Sequence, residues 1–178
     1  MGAWKVVADS DRYRSLLPSD EECAAALFQK FDGRRLGRSW KPLRVKLHKV
    51  GKAGDFPALA SHIPVFNEKA LLVLGPLLQG SVEALPLDCD EGSFFAINIL
   101  AVIDCLDLAN SEVTRFSTGE ILSIDRYALF EEYIPDTALF KLPQERLRHP
   151  FATNAFRKAV RKHSFKGLEF EEVSKGAQ

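Results

Sequence analysis

The sequence contains few of the residues and motifs that mark common catalytic or metal sites. Among its 178 residues are one Met and three Cys, and the cysteines form no CxxC pair. Neither GxGxxG nor GxxxxGK[ST] occurs, so the common nucleotide-phosphate cradles are excluded. The four histidines are scattered and form no zinc-type pattern. The sequence therefore predicts no cofactor and no metal ion.

Long apolar segments are also missing. The longest apolar run, 94–103, is about half of the roughly 20 residues that a membrane helix needs. The first 13 residues turn polar too early for the apolar core of a signal peptide. An odd number of cysteines without a disulfide framework favours a reducing compartment. Together these features predict a cytoplasmic protein that does not associate with membranes.

The composition is that of an ordinary globular chain, with 46% hydrophobic and 27% charged residues. Its length is typical of one domain, which we assign to residues 1–178. The patterns predict three helices and some eight short strands, mostly in hairpins. We therefore expect an α+β fold in which a mostly antiparallel sheet of short strands and hairpins packs with about three helices.

The helices are predicted from their caps. Ser19 begins a Ser-x-x-Glu capping box, and a helix with apolar residues at helical spacing follows at about 20–31. Asn67 is the predicted cap of the second helix, which Pro76 should end or kink. Thr153 is the predicted cap of the last helix, whose outer face is basic.

The charges are balanced in number but unevenly distributed. Residues 1–60 carry 12 basic and 7 acidic side chains, residues 61–140 carry 3 and 13, and residues 141–178 carry 9 and 4. An acidic middle third thus lies between two basic ends. Opposite blocks can pair within one fold, which is the favoured interpretation, or can form faces that steer a charged partner.

One predicted strand carries a basic face. In "LRVKLHKV", alternation places Arg44, Lys46 and His48 on one side and apolar residues on the other. This face is a candidate for binding an anionic partner, although a solvated or lysine-protected edge is a commoner arrangement. Nucleic acid is disfavoured, because the isoelectric point is near 6.9 and the strand lacks interleaved aromatic residues.

The segment "VIDCLD" places Cys105 between two aspartates at the end of an apolar run. The run from Phe94 is apolar in both alternating registers, which predicts a central strand covered on both faces. Cys105 then continues an apolar face and fills the core. The alternative is an enzyme of unrecognised type with a polar pocket near Asn98, Asp104 and Asp107, although an unbroken strand would not bring these side chains together.

Five phrases, in this order and spacing, carry a resemblance to a known family. The chain is similar to immunity protein family eleven, formerly a domain of unknown function, over roughly residues 30–173. The phrases are "GDFPAL" (54–59), "PVFNEKALLVLGPLLQGSVEALPL" (64–87), "VIDCLDLANSEVTRFSTGEI" (102–121), "LFKLP" (139–143) and "TNAFRKAVRKHSFKGLEFEEV" (153–173).

The resemblance implies a role in a bacterial polymorphic toxin system. Proteins of this family are taken to be small cytoplasmic proteins that bind and neutralise a toxin, so the implied function is toxin neutralisation through protein–protein interaction rather than catalysis. The resemblance supplies no catalytic residues. The phrases themselves look structural, with Gly54, Phe56 and Pro57 shaping a loop.

If the toxin is cationic, as nucleases tend to be, the acidic middle third is the natural docking face. The residues that we expect to contribute are Asp88, Asp90, Glu91, Glu131 and Glu132. The face of Arg44, Lys46 and His48 would suit an acidic toxin instead. Besides the enzyme with the polar pocket, an oligomeric scaffold remains an alternative, and the sequence leaves the oligomeric state undetermined.

Overall fold

A computed structural model of the protein describes residues 2–175. Its helices are α1 (Glu21–Lys30), α2 (Glu68–Leu78) and α3 (Asn154–Lys162). Its strands are β1 (Ala3–Ala8), β2 (Ser15–Pro18), β3 (Val45–His48), β4 (Val65–Asn67), β5 (Val82–Pro86), β6 (Phe94–Ile99), β7 (Glu112–Arg115), β8 (Ile121–Arg126), β9 (Ala128–Leu129), β10 (Leu139–Phe140), β11 (Phe151–Thr153), β12 (Leu168–Glu172) and β13 (Ser174–Lys175). In residues 2–175, the helices are too short or too polar to cross a membrane.

The strands form several small sheets. One sheet has the order β10-β11-β1-β12 and another has the order β4-β6-β5, with every pair antiparallel. Two further antiparallel pairs join β2 to β3 and β7 to β8, while β9 and β13 run parallel. The predicted α+β class, with short antiparallel strands and three helices, is confirmed.

The start of α1 differs from its prediction by one residue. The N-cap is Asp20, whose carboxylate accepts a hydrogen bond from the backbone N–H of Cys23 at 2.8 Å. The Ser19 hydroxyl instead donates to Asp20. A carboxylate is a good N-cap and its negative charge is stabilised by the positive end of the helix dipole. Asp20 is therefore the N-cap residue, although Ser19 is the first residue of the motif.

The other two helix caps were placed correctly, but one helix end was not. Asn67 caps α2 by accepting from Ala70 N–H, and Thr153 is the N-cap residue of α3, without a capping hydrogen bond from its side chain. Of the two effects predicted for Pro76, ending α2 is wrong, because the helix continues to Leu78, and a kink stays a prediction. Pro76 lies on the exposed side, where a carbonyl that loses its helical partner can face water.

β6 is the central strand of its sheet, as predicted, but it is shorter than the apolar run. It pairs with β4 on one side and with β5 on the other, and the last paired residue is Ile99, opposite Val82. Beyond that point and before β7 the chain, within residues 2–175, forms only isolated bridges, from Val102 to Lys141 and from Leu106 to Leu129 of β9. The apolar run thus continues into the core as irregular chain.

Much of the core is aromatic. Phe66 is fully buried between the edge-on ring of Phe56, at 4.9 Å, and the stacked ring of Phe156, at 6.1 Å. Phe66 belongs to β4 and Phe156 to α3, so these contacts join the β4-β6-β5 sheet to the last helix. Rings packed in this way add to the stability that burial provides.

Gly167 is predicted to be highly sensitive to substitution, because an added Cβ would meet backbone atoms. Its φ is +108°, and a Cβ there would lie 2.7 Å from the Phe56 carbonyl oxygen, so Gly167→Ala should lower the free energy of unfolding by about 2–4 kcal/mol. Gly119 is the matched control, since its φ is +90° but no heavy atom lies within 4 Å of its Cβ. Gly119→Ala should cost about 1 kcal/mol. Urea unfolding measures both values, and equal losses would contradict the close contact.

Candidate functional site

The acidic turn after β5 and the basic strand β3 form one surface. Arg44 lies just before β3 and donates hydrogen bonds to the carboxylates of Asp88, at 2.9 Å, and Asp90. Backbone hydrogen bonds join the same segments, from Val45 N–H to Asp88 C=O and from Asp88 N–H to Leu43 C=O. Two of the predicted acidic residues are therefore bound to one of the predicted basic residues.

This ion-pair network is exposed. The side chains of Arg44, Asp88 and Asp90 are 39%, 55% and 76% accessible. The hydrogen bonds to Asp90 and then to Asp88 raise the pKa of Arg44 above its usual value. Because water screens such pairs, the network adds little to stability. It does arrange two carboxylates around one guanidinium, which leaves this spot with a negative excess.

Glu91 adds a further carboxylate at this position. The side chain is exposed, and its Oε2 accepts a weak hydrogen bond from the Cys89 thiol at 3.3 Å. Partial burial raises the pKa of Cys89, so this thiol stays protonated at neutral pH. We call Asp88, Asp90 and Glu91 the first acidic group.

Lys46 and His48 are exposed on the outer side of β3, while Val45 is buried on the inner side. The predicted alternation is confirmed. Neither Lys46 nor His48 forms an ion pair with another side chain among residues 2–175, in contrast to Arg44. In the basic candidate face, Arg44 is therefore neutralised by ion pairs, whereas Lys46 and His48 are not.

Glu131 and Glu132 form a second acidic group at a different place. They lie in a short 3₁₀ turn between β9 and β10, beside Tyr133, which is 57% exposed. The backbone N–H of Phe130 donates to Cys105 C=O, which ties this turn to the chain beyond the end of β6. The first acidic group precedes β6 along the chain, whereas this turn is bonded to a residue that follows β6.

The residues of the alternative enzyme pocket each have a separate role. Asn98 is buried and donates to the Glu83 carboxylate at 2.9 Å and to the Arg34 carbonyl at 2.8 Å. Asp104 is exposed and accepts a hydrogen bond from Gln144. Asp107 is buried and accepts from backbone and side-chain groups of its own turn, residues 107–110. These hydrogen bonds therefore lead from the three side chains to different partners.

Cys105 is a core residue, as predicted. Its side chain is fully buried in a cluster with Phe140 and Phe151. Burial, reinforced by the charge of Asp104, raises the pKa of its thiol to about 11. At neutral pH the group is therefore a protonated thiol in an apolar environment, which is a poor nucleophile.

The pattern analysis missed Glu83, which organises the loop before β3. Its carboxylate accepts hydrogen bonds from the backbone N–H groups of Leu36, at 2.7 Å, and Gly37, at 2.9 Å, as well as from Asn98. Burial alone would raise the pKa of Glu83, but these hydrogen bonds together lower it. The only sign of this role in the sequence was a charged residue in an otherwise apolar strand. That sign does not identify Gly37, 46 residues away, as a partner.

Two buried basic side chains, also missed, hold the C-terminal end of α1. Lys141 is inaccessible to solvent and donates to the carbonyls of Phe31 at 2.7 Å and Arg146 at 3.0 Å. His62 is equally buried, and its Nε2 lies 3.0 Å from the Leu27 carbonyl, so Nε2 carries the proton and donates. Burial lowers the pKa of Lys141 to about 8 and that of His62 to about 4.

Comparison with known proteins gives one informative match. The model of an immunity protein family (Imm11) matches residues 88–175, about half of the chain. Over these residues the chain is similar to that family, which confirms the resemblance seen in the sequence there. The match begins at the first acidic group and also includes the second. No curated protein matches the chain.

Burial of His62 predicts a loss of stability in acid. The pKa is about 4 in the folded state and near 6.5 when the ring is exposed, so below pH 6.5 the unfolded state binds a proton that the folded state does not. The free energy of unfolding should therefore fall between pH 6.5 and pH 4, by roughly 3 kcal/mol from this group.

The lowered pKa of His149 acts in the same direction, so variants are needed to separate the two groups. His62→Gln keeps a donor for Leu27 C=O but does not titrate, and its unfolding free energy should vary less between pH 6.5 and pH 4. The exposed His163, changed to Gln, serves as the control and should retain the wild-type profile. A His62→Gln profile that matches wild type would contradict the assignment.

Proposed function

We propose that this protein is a non-enzymatic immunity protein that binds and neutralises a cognate bacterial toxin through a charged surface. The observation that carries the proposal is the match of residues 88–175 to an immunity protein family. The family implies protein binding, and the most distinctive surface features of the described chain are charged groups rather than a set of converging catalytic side chains. We propose that this binding takes place in the cytoplasm.

We assign the docking surface to the first acidic group, with the second acidic group as a separate contact. Asp88, Asp90 and Glu91 project from a turn that is held by backbone hydrogen bonds to the segment before β3. A fixed group of carboxylates can attract a cationic toxin before contact, which raises the association rate. Rapid capture suits a protein whose partner is lethal.

The basic residues give the competing assignment. Lys46 and His48 lie on the outer side of β3 and would attract an acidic toxin. Arg44 cannot contribute fully to that face, because Asp88 and Asp90 already bind its guanidinium. This pairing favours the acidic assignment.

Co-expression tests the function itself. The tagged protein, produced together with the product of the neighbouring reading frame, should purify as a stoichiometric complex and restore growth to cells that this product otherwise kills. A harmless neighbour that forms no complex would refute the proposal for this gene pair. A complex without growth rescue would show binding but refute neutralisation.

Charge reversal tests the surface. Asp90→Lys combined with Glu91→Lys should slow association with the toxin about tenfold or more at low ionic strength, because attraction becomes repulsion, and the difference should shrink at high salt. Stopped-flow or surface-plasmon-resonance kinetics at two salt concentrations measure it. Since the ion pairs of Asp90 are exposed, the fold should persist, which circular dichroism can verify.

Asp11→Lys combined with Glu120→Lys is the matched control, as it changes the net charge by the same amount at two exposed residues outside both acidic groups. An equal slowing in both double variants would indicate a response to total charge and contradict a localised face. Slowing by Lys46→Glu but not by either acidic variant would transfer the assignment to β3.

A further inference from the structure

A cavity lies beside the first acidic group. It has a volume of about 310 Å³ and lies between the start of α2, the inner side of β3 and the turn before β6. Pro57 and Phe94 provide apolar lining, and Ser93 is an exposed residue at its edge. The volume is at the lower end of the range for sites that hold a small ligand or one large side chain.

The charges around the cavity are balanced. Two carboxylates, Glu68 and Glu91, and two cations, Arg14 and Lys69, line it. An inserted side chain with a formal charge would meet both signs and gain little. A neutral aromatic side chain with a polar tip can lie against the apolar lining, hydrogen-bond to a carboxylate and face a cation with its ring.

An uncovered apolar surface continues from the cavity along α2. Glu68 and Lys69 line the cavity, and residues three and four positions further along a helix lie on the same face. Those residues are Leu72 and Val73, which are 74% and 39% exposed, and Leu77 is 39% exposed one turn later. No other part of residues 2–175 covers Leu72. Adjacent exposed apolar side chains of this kind mark interaction surfaces.

We infer that the toxin docks on this surface and inserts one tyrosine or tryptophan side chain into the cavity. The inference rests on the proposed function and specifies where the partner binds. The arrangement has the composition of a protein interface, with an apolar centre on α2, a pocket for an aromatic anchor and, on the Glu91 side of the pocket, the first acidic group as a charged rim. The negative excess of that rim specifies a partner whose aromatic anchor is bordered by cations.

Filling the cavity is the direct test. Ser93→Trp places a bulky side chain at the cavity edge from an exposed position, so it should weaken toxin binding at least 30-fold while leaving the unfolding midpoint unchanged. The control is Ser61→Trp, another exposed serine, which lines a second cavity of about 420 Å³ between β1, β2 and residues 58–61. This variant should change the dissociation constant less than threefold. Isothermal titration calorimetry with the purified toxin measures both.

The anchor is then sought on the toxin. Each surface tyrosine and tryptophan of the toxin is changed to alanine, and one substitution should weaken binding as much as Ser93→Trp, with the two changes together costing little more than either alone. Leu72→Lys should weaken binding about tenfold, whereas Leu122→Lys, on the β7–β8 hairpin, should not.

The outcomes separate the two proposals. If the wild-type protein does not bind the toxin, the proposed function fails. If it binds and Ser93→Trp binds equally well, this surface is wrong while the function stands. Additive losses for every toxin aromatic would exclude an aromatic anchor, and a larger loss for Ser61→Trp would place the contact at the other cavity.

Discussion

The buried ammonium of Lys141 joins parts of the fold that no regular sheet connects. Its side chain donates to the last turn of α1 through Phe31 C=O and to the 143–148 segment through Arg146 C=O. Its backbone bonds to Ala101 and Ile103, in the irregular chain that follows β6. Burying this cation is costly, and its lowered pKa reflects that cost, which the charge of Asp32 offsets only in part. The carbonyls that it binds would otherwise be left without partners at the end of a helix.

The predictions from sequence succeeded where local chemistry decides the structure. Alternation identified β3 correctly because one side of that strand is buried and the other is exposed to solvent. Asn67 was identified as a helix cap because its side chain bonds to a residue only three positions away. Prediction failed where a distant partner decides. The pattern of the apolar run predicts a strand that continues after Ile99. The chain instead stops pairing there, because β4 and β5 have no further residues opposite it. Glu83 and Lys141 were overlooked for the same reason, as their partners lie 46 and 110 residues away.

The candidate surface illustrates the same limit for function. The charge counts identified an acidic segment and a basic strand as alternatives, and a count along the chain cannot show that Arg44 binds both Asp88 and Asp90. Because these residues pair, the choice between an acidic and a basic docking face depends on the charges that remain unpaired. On the acidic side these are Glu91 and the negative excess around Arg44, and on the basic side they are Lys46 and His48. The cavity was invisible in the sequence because its lining comes from five separate segments.

The position of the charges also bears on how binding and stability can evolve independently. The residues that hold the fold together, such as the buried Lys141 and His62 and the partly buried Glu83, bond mainly to backbone groups, so substituting them would disturb packing. The proposed contact residues, Glu91, Ser93 and Leu72, are exposed and contribute little to the core. A toxin that changes its surface could therefore be matched by substitutions on α2 and the acidic turn without loss of the fold. Specificity between related pairs of toxin and immunity protein would then depend on which charges border the cavity. A repulsive charge at that position weakens binding of the wrong partner more than the loss of one contact does.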